Sequence, residues 1–168
     1  MMRRALADPY RAVLRQFNRH GIKYVVVGMS GINYYARSPA ETFATLDYDI
    51  FLNPTLKNVA QAVHLLKRLG FTIGTVAGPL REDVMTDVVR YRKTLVATTP
   101  DGLTVELLQE VSGYPFSELA KDAATFSVRG VPVRVGRLTK LLKSKQLAGR
   151  AKDRQFLRRY QALLEESS

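Results

Sequence analysis

Asp47 and Asp49 stand two residues apart in Leu46-Asp47-Tyr48-Asp49-Ile50-Phe51-Leu52, a stretch whose alternation predicts a strand. Side chains two apart on a strand share a face. Both carboxylates therefore point one way, while Leu46, Tyr48, Ile50 and Leu52 point the other. Two negative charges so close raise each other's pKa, and a divalent cation with oxygen ligands relieves that repulsion. A third carboxylate, Glu106, lies in the strand predicted over 103–108 and faces opposite to Val105 and Leu107. Three carboxylates around one or two Mg2+ ions suit attack of a hydroxyl on the α-phosphate of a nucleotide. The metal neutralises charge on the phosphate and the leaving group, and one acid takes the incoming proton. An isolated acid pair is as readily structural, so its position in the chain has to decide.

The elements around the pair are legible. Residues 8–20 read as an amphipathic helix with Val13, Leu14 and Phe17 on one face and Gly21 as its stop. A buried strand is predicted over 22–27, then the turn Gly28-Met29-Ser30-Gly31, a short helix to Tyr35 or Arg37, and a loop at 38–45. This order brings a turn's amides and a helix start beside the carboxylates, a combination that binds phosphate. Asn53-Pro54 reads as a helix start, with Leu56, Val59, Val63 and Leu66 on the buried face and Gly70 at the end.

Further on come a strand at 71–76, a Gly-Pro turn, a long strand at 87–98, a Pro100-Asp101-Gly102 turn and a helical turn at 115–121. A hairpin follows around Arg129-Gly130, between Phe126-Ser127-Val128 and Val131–Val135. Two helices close the chain. Leu138, Leu141 and Leu142 begin one, Phe156, Leu157, Tyr160, Leu163 and Leu164 stripe the other, and Gly149-Arg150 joins them. The expectation is an α/β fold: a mixed sheet with flanking helices, one domain over 1–168, and a helical C-terminal part at 137–168.

The segment Tyr24-Val25-Val26-Val27-Gly28-Met29-Ser30-Gly31, followed by Leu46–Leu52 as quoted above, resembles the signature of the DNA polymerase β-like nucleotidyltransferase superfamily. That signature is an apolar strand, a Gly-Gly or Gly-Ser turn, a helix, and Asp-x-Asp between apolar residues. Val105-Glu106-Leu107-Leu108 is similar to the strand carrying the third acid. Ser144-Lys145-Gln146-Leu147-Ala148-Gly149-Arg150-Ala151-Lys152-Asp153-Arg154 is similar to the Lys…Arg-x-Lys-Asp ending of AbiEii-type and related small bacterial nucleotidyltransferases.

The resemblance covers about 22–164 and implies a polymerase β-like nucleotidyltransferase fold. It implies that Asp47, Asp49 and Glu106 bind Mg2+ and carry catalysis, and that Gly28 and Ser30 lie under the NTP triphosphate. Lys145 and Lys152 would approach the phosphates, and Asp153 would belong to the site or orient its lysines, with simple pairing to a neighbouring arginine as the alternative. It also implies a toxin–antitoxin or phage-defence setting, with an antitoxin protein as partner and RNA such as a tRNA end as acceptor. Met29 replaces the second glycine of the usual turn, residues 38–45 lengthen the approach to Asp47, and Glu106 replaces an aspartate. These differences keep a second reading open: a catalytically inactive module that binds nucleic acid or a protein partner. A third has the carboxylates purely structural in an interaction protein.

The 168 residues carry 26 Lys+Arg against 15 Asp+Glu, a net charge of +11, and no cysteine. The charge points to an anionic partner. It is concentrated: 129–168 holds eleven basic and three acidic residues, whereas 24–128 holds nine and eleven. The lack of cysteine excludes a disulfide scaffold, thiol catalysis and a Cys-ligated zinc site. No apolar run reaches the roughly 18 residues of a membrane span, and no signal-peptide core opens the sequence, so no membrane partner and a cytoplasmic location are expected. Ser112 has no elbow glycines or nearby histidine for hydrolase chemistry, and no Walker or Rossmann glycine pattern occurs. Tyr34, Tyr35 and Tyr91 are available for stacking on a base, with packing as the alternative for each.

Overall fold

Short apolar strands and one-sided helices assemble around a mixed sheet in the computed structural model, which describes residues 10–43 and 47–167. In chain order the elements are α1 (Arg11–Arg19), β1 (Tyr24–Val26), α2 (Gly28–Asn33), β2 (Tyr48–Leu52), α3 (Leu56–Arg68), β3 (Thr72–Thr75) and β4 (Gly78–Pro79). They continue with α4 (Met85–Arg90), β5 (Leu95–Thr98), β6 (Thr104–Leu108), α5 (Phe116–Ala120), β7 (Ala124–Val128), β8 (Val131–Val135), α6 (Leu138–Ala148) and α7 (Ala151–Ser167). The eight strands run in the order β4-β3-β5-β6-β2-β1-β8-β7. The β2–β6 and β1–β8 neighbours are parallel and the other pairs antiparallel, so the sheet is mixed, as the sequence leads one to expect.

The three central strands are apolar throughout or on alternate residues, and Val25, Val26, Ile50, Leu52, Val105 and Leu107 are sealed from solvent. Helix α1 buries Val13, Leu14 and Phe17, the last with its ring 5.9 Å from that of Tyr24 in β1. Helix α3 buries Val59, Ala62, Val63, Leu65 and Leu66, which recur at the three- and four-residue spacing of one helix face. No described helix is long and apolar enough to cross a membrane.

Three local expectations are corrected. The stretch read as one strand over 87–98 is helix α4, a turn, and β5. Met85, Val88 and Val89 fall at i, i+3 and i+4, so Val88 and Val89 bury as a helix face, and Arg92 then takes a left-handed backbone (φ 53°) that ends the run. The paired valines had favoured a strand on β-propensity alone, which tertiary packing overrides. Secondly, Asn53 is not the cap of α3. Thr55 is, its hydroxyl accepting from the Asn58 N–H at 3.3 Å, and Pro54 lies outside the helix. Thirdly, Gly78-Pro79 forms the two-residue edge strand β4 against β3. Residues 8–9 of the expected first helix, Leu46, and the side chains of Leu163 and Leu164 lie outside what is described.

Candidate active site

Strand β2 begins at Tyr48, with Asp47 just before it and Asp49 within it. Tyr48, Ile50 and Leu52 go into the core, which leaves Asp49 on the opposite face. The parallel ladder to β6 sets Asp49 directly beside Glu106, flanked there by buried Val105 and Leu107. Neighbouring strands lie about 4.8 Å apart. Register alone therefore brings together acids that are 57 positions apart in sequence.

The backbone of Asp49 is held from two sides. Its N–H donates to the Ser30 hydroxyl at 3.0 Å, and its carbonyl accepts from the Val27 N–H at 3.0 Å. Ser30 is buried and its own hydroxyl proton goes to the Val27 carbonyl at 2.9 Å. Gly28, the first residue of α2, has φ +64°, and a Cβ there would collide with the Asp49 carboxylate. Only glycine lets the α2 turn come this close to that acid.

One carboxylate oxygen of Asp49, Oδ1, is buried with no hydrogen-bond partner. Burial, then the charge of Glu106 and of Asp47, push the Asp49 carboxyl up to about 7, against a counter-pull from Lys145. Glu106 is raised by burial and by Asp47, and Lys152 opposes the rise. Among the described residues, no three His, Cys, Asp or Glu side chains are arranged to hold an ion as they stand.

The opposing wall comes from α6 and α7. Lys140 anchors α6, its ammonium donating to the Glu118 carbonyl at 2.7 Å and to Asp122 at 3.0 Å. Gly149 closes the helix in a left-handed conformation (φ 63°), the position where glycine carries no Cβ penalty. The turn sends α7 back so that Asp153 meets two cations. Arg150 Nε donates to it at 2.6 Å and Lys145 Nζ at 3.4 Å, and the Asp153 side chain is 1% exposed. Burial opposes charge on Asp153, but Arg150 and Lys145 outweigh it and hold the carboxyl below its ordinary value. The Lys145 ammonium also lies 5.1 Å from the Phe156 ring centre, a cation–π distance.

A cleft of about 670 Å3 lies between the walls. Gly28, Asp47, Asp49, Glu106, Lys145, Lys152 and Asp153 all line it. Ser30 does not, because its hydroxyl is committed to Val27 and Asp49. Asp47, Asp49 and Glu106 stand on one side of the cleft, and Lys145, Arg150 and Lys152 on the other.

A scan of family models matches residues 6–168 to the family described as "Nucleotidyl transferase of unknown function (DUF2204)". The chain belongs to this family. No curated protein matches it. Among solved structures it is similar to an antigenic nucleotidyltransferase-like protein from Paracoccidioides brasiliensis, with a TM-score of 0.57 and 16% identity over 92% of this chain and 73% of that one. At that identity the likeness is one of fold, and the mixed sheet with flanking helices is the nucleotidyltransferase fold.

In this nucleotidyl transferase family member, Arg150, quoted from the sequence in the closing motif but given no site role, lines the cleft and makes the shortest contact to Asp153. Its signal was the spacing Arg150-x-x-Asp153, which joins two side chains across one helical turn. Glu110, Ser112 and Ser144 also line the cleft, and Met29 forms part of its wall. Nothing in their sequence context marks them. Tyr34 and Tyr35 are packing residues: the Tyr34 hydroxyl is 2.5 Å from that of buried Tyr48, and Tyr35 donates to the Gly136 carbonyl at 2.7 Å.

Proposed function

We propose that this chain is a magnesium-dependent nucleotidyltransferase that moves a nucleoside monophosphate from an NTP to an acceptor hydroxyl, with RNA as acceptor. The observation that carries this reading is the in-register pairing of Asp49 with Glu106, with Asp47 alongside, in a cleft whose opposite wall is cationic. The donor set fits a hard divalent cation: three carboxylates, no sulfur or imidazole, and a buried Asp49 oxygen lacking any partner. Asp47, Asp49 and Glu106 would hold the ion, which when bound supplies charge neutralisation at the phosphates.

The chain's own residues account for the rest. Lys145, Arg150 and Lys152 bear on the triphosphate, and Asp153 keeps Lys145 and Arg150 aimed into the cleft. The acceptor hydroxyl attacks the α-phosphorus. A new O–P bond forms, the bond to the bridging oxygen breaks, pyrophosphate leaves, and the hydroxyl proton passes to a carboxylate of the acid wall. Phe156, Leu108 and Leu141 give the cleft an apolar side that limits water.

The charge of 129–168 favours RNA over a cationic small acceptor. The AbiEii-type ending adds a toxin–antitoxin or phage-defence setting, with an antitoxin as partner. Met29 in the cleft wall favours one second reading, an inactive module that retains nucleic-acid binding.

The test is incubation with each α-labelled NTP, Mg2+ and total RNA, beside Asp47→Asn and Asp49→Asn. Label should pass to RNA with the native chain alone. Transfer that survives both substitutions would remove the acid wall from the reaction. Salt-sensitive RNA binding with no transfer to any acceptor would establish the inactive module instead.

A further inference from the structure

A second charged surface lies at the other end of the same strands. Gly28 and Asp49 are at one end of the β1–β2 ladder, whereas Lys23 precedes β1 and Asn53 follows β2 at the opposite end, where Tyr24 pairs with Leu52. Three segments are tied together there. The Asn58 side chain accepts from the Lys23 N–H at 2.9 Å and donates to the carbonyls of Lys23 and Asn53, both at 3.0 Å. Arg92 donates to the Pro54 carbonyl at 3.2 Å and to the Val89 carbonyl at 2.9 Å. Buried Gln109 donates to the carbonyls of Val88, at 3.0 Å, and Lys93, at 2.7 Å.

These bonds lock the turn after α4. Within it, Tyr91 is 63% exposed although its neighbours are fixed. Arg92 holds the left-handed conformation that ends α4 just beyond Tyr91, a backbone state that costs a non-glycine residue energy and persists only when its surroundings enforce it. The segments tied together here carry the exposed cations Lys23, Lys57, Arg90 and Lys93. The stretches 19–23, 53–58 and 90–93 contain no carboxylate. Asp87 pairs with Arg90 at 3.9 Å.

We propose that this turn is a binding site for single-stranded nucleic acid, in which Tyr91 stacks on a base while Arg90, Lys93, Lys57 and Lys23 track the phosphates. An exposed aromatic ring on a rigid support, with cations on the segments tied to it, is the combination that binds single strands: stacking accepts any base and the cations follow the backbone. Cations with no carboxylate among them favour a polyanion, and in a single strand each base adds a face on which the ring can stack. The site is separate from the cleft and does not depend on the transfer reaction.

The experiment measures binding of a labelled 20-nucleotide oligouridine to the whole chain carrying Asp49→Asn, so that catalysis plays no part. Tyr91→Ala should weaken binding about 5- to 100-fold, and Tyr91→Phe should keep it. Arg90→Ala with Lys93→Ala should lower the slope of log affinity against log salt by about 1 to 1.5. Arg92 is left intact because it holds the turn, and unchanged circular dichroism and melting check that the variants fold. Affinity and salt slope that ignore these substitutions would overturn the proposal. So would a Tyr91 dependence seen only with polyglutamate, or only in self-association of the chain.

Discussion

Asp49 of β2 and Glu106 of β6 are direct partners across a parallel ladder, and the Asp49 carboxyl is held near neutrality by that pairing together with burial. Two acids this close in a half-buried cleft wall are a standing cost to the fold, offset in part by Lys145 and Lys152. Such a cost is expected where binding, not stability, shaped the residues.

Asp49→Asn should therefore stabilise the chain while abolishing nucleotide transfer. A carboxyl whose folded pKa is raised binds its proton more tightly folded than unfolded, so stability falls as pH rises from about 4 towards about 7. Melting curves of the native chain and the variant should lie close together near pH 4. By pH 8 the variant should lead by a few degrees, on the order of 1 kcal/mol or more. A lead that is the same at both pH values would refute the linkage.

Gly28→Ala should be worse than an ordinary left-handed glycine substitution. Gly21 has a similar φ of +69° but open space around an added Cβ, whereas the Cβ at 28 meets the Asp49 carboxylate. Gly21→Ala is expected to cost about 1 kcal/mol, and Gly28→Ala about 1–3 kcal/mol more. Denaturant midpoints of the two variants give the comparison, and equal losses would show that the clash is relieved at no cost.

Ser30→Ala separates two roles for this hydroxyl. It removes the bonds to the Val27 carbonyl and the Asp49 N–H, so stability should fall by about 1–3 kcal/mol. If the hydroxyl acts only by fixing Asp49, kcat should drop with KM for the NTP little changed. A rise in KM alone would restore the phosphate contact expected from the sequence.

Asp153→Asn should destabilise at neutral pH and become silent in acid. A carboxyl held below its ordinary value adds stability above the unfolded carboxylate pKa, and that contribution is lost as pH falls through the folded value. The gap in melting temperature between native chain and variant should be widest at pH 6–7, should begin to narrow as pH approaches about 4, and should close only below the folded value. Its size should be about 1–3 kcal/mol, because Arg150 remains largely in solvent while Lys145 does not.

Much of this was legible because it was local. The alternation at 47–52 set the face of Asp49, and the alternation at 104–108 set that of Glu106. Strand order, which makes the two acids neighbours, has no local signal and follows from the whole sheet. The Arg150–Asp153 pair is local, one helical turn apart, but that the Gly149 turn brings it to the cleft opposite the acids has no local signal. The 87–98 stretch was misread because a Val-Val pair satisfies strand propensity while the spacing from Met85 satisfies a helix, and packing against α3 chose between them. Ser30 was expected to face the phosphates. Its hydroxyl faces inward because the buried Asp49 N–H needed an acceptor.

The two walls of the cleft are written far apart in the chain. When synthesis has just passed Glu106, Asp47, Asp49 and Glu106 are all made, yet Lys145, Arg150 and Lys152 are not. Strand β8, which slots between β1 and the edge strand β7, is also still to come. A nascent chain thus passes through a stage in which its acids have no counter-charge and the edge of β1 is open. Assembly of the cleft is consequently a late event in biosynthesis, and C-terminal truncations would expose that edge to self-association before they touched the acidic residues themselves.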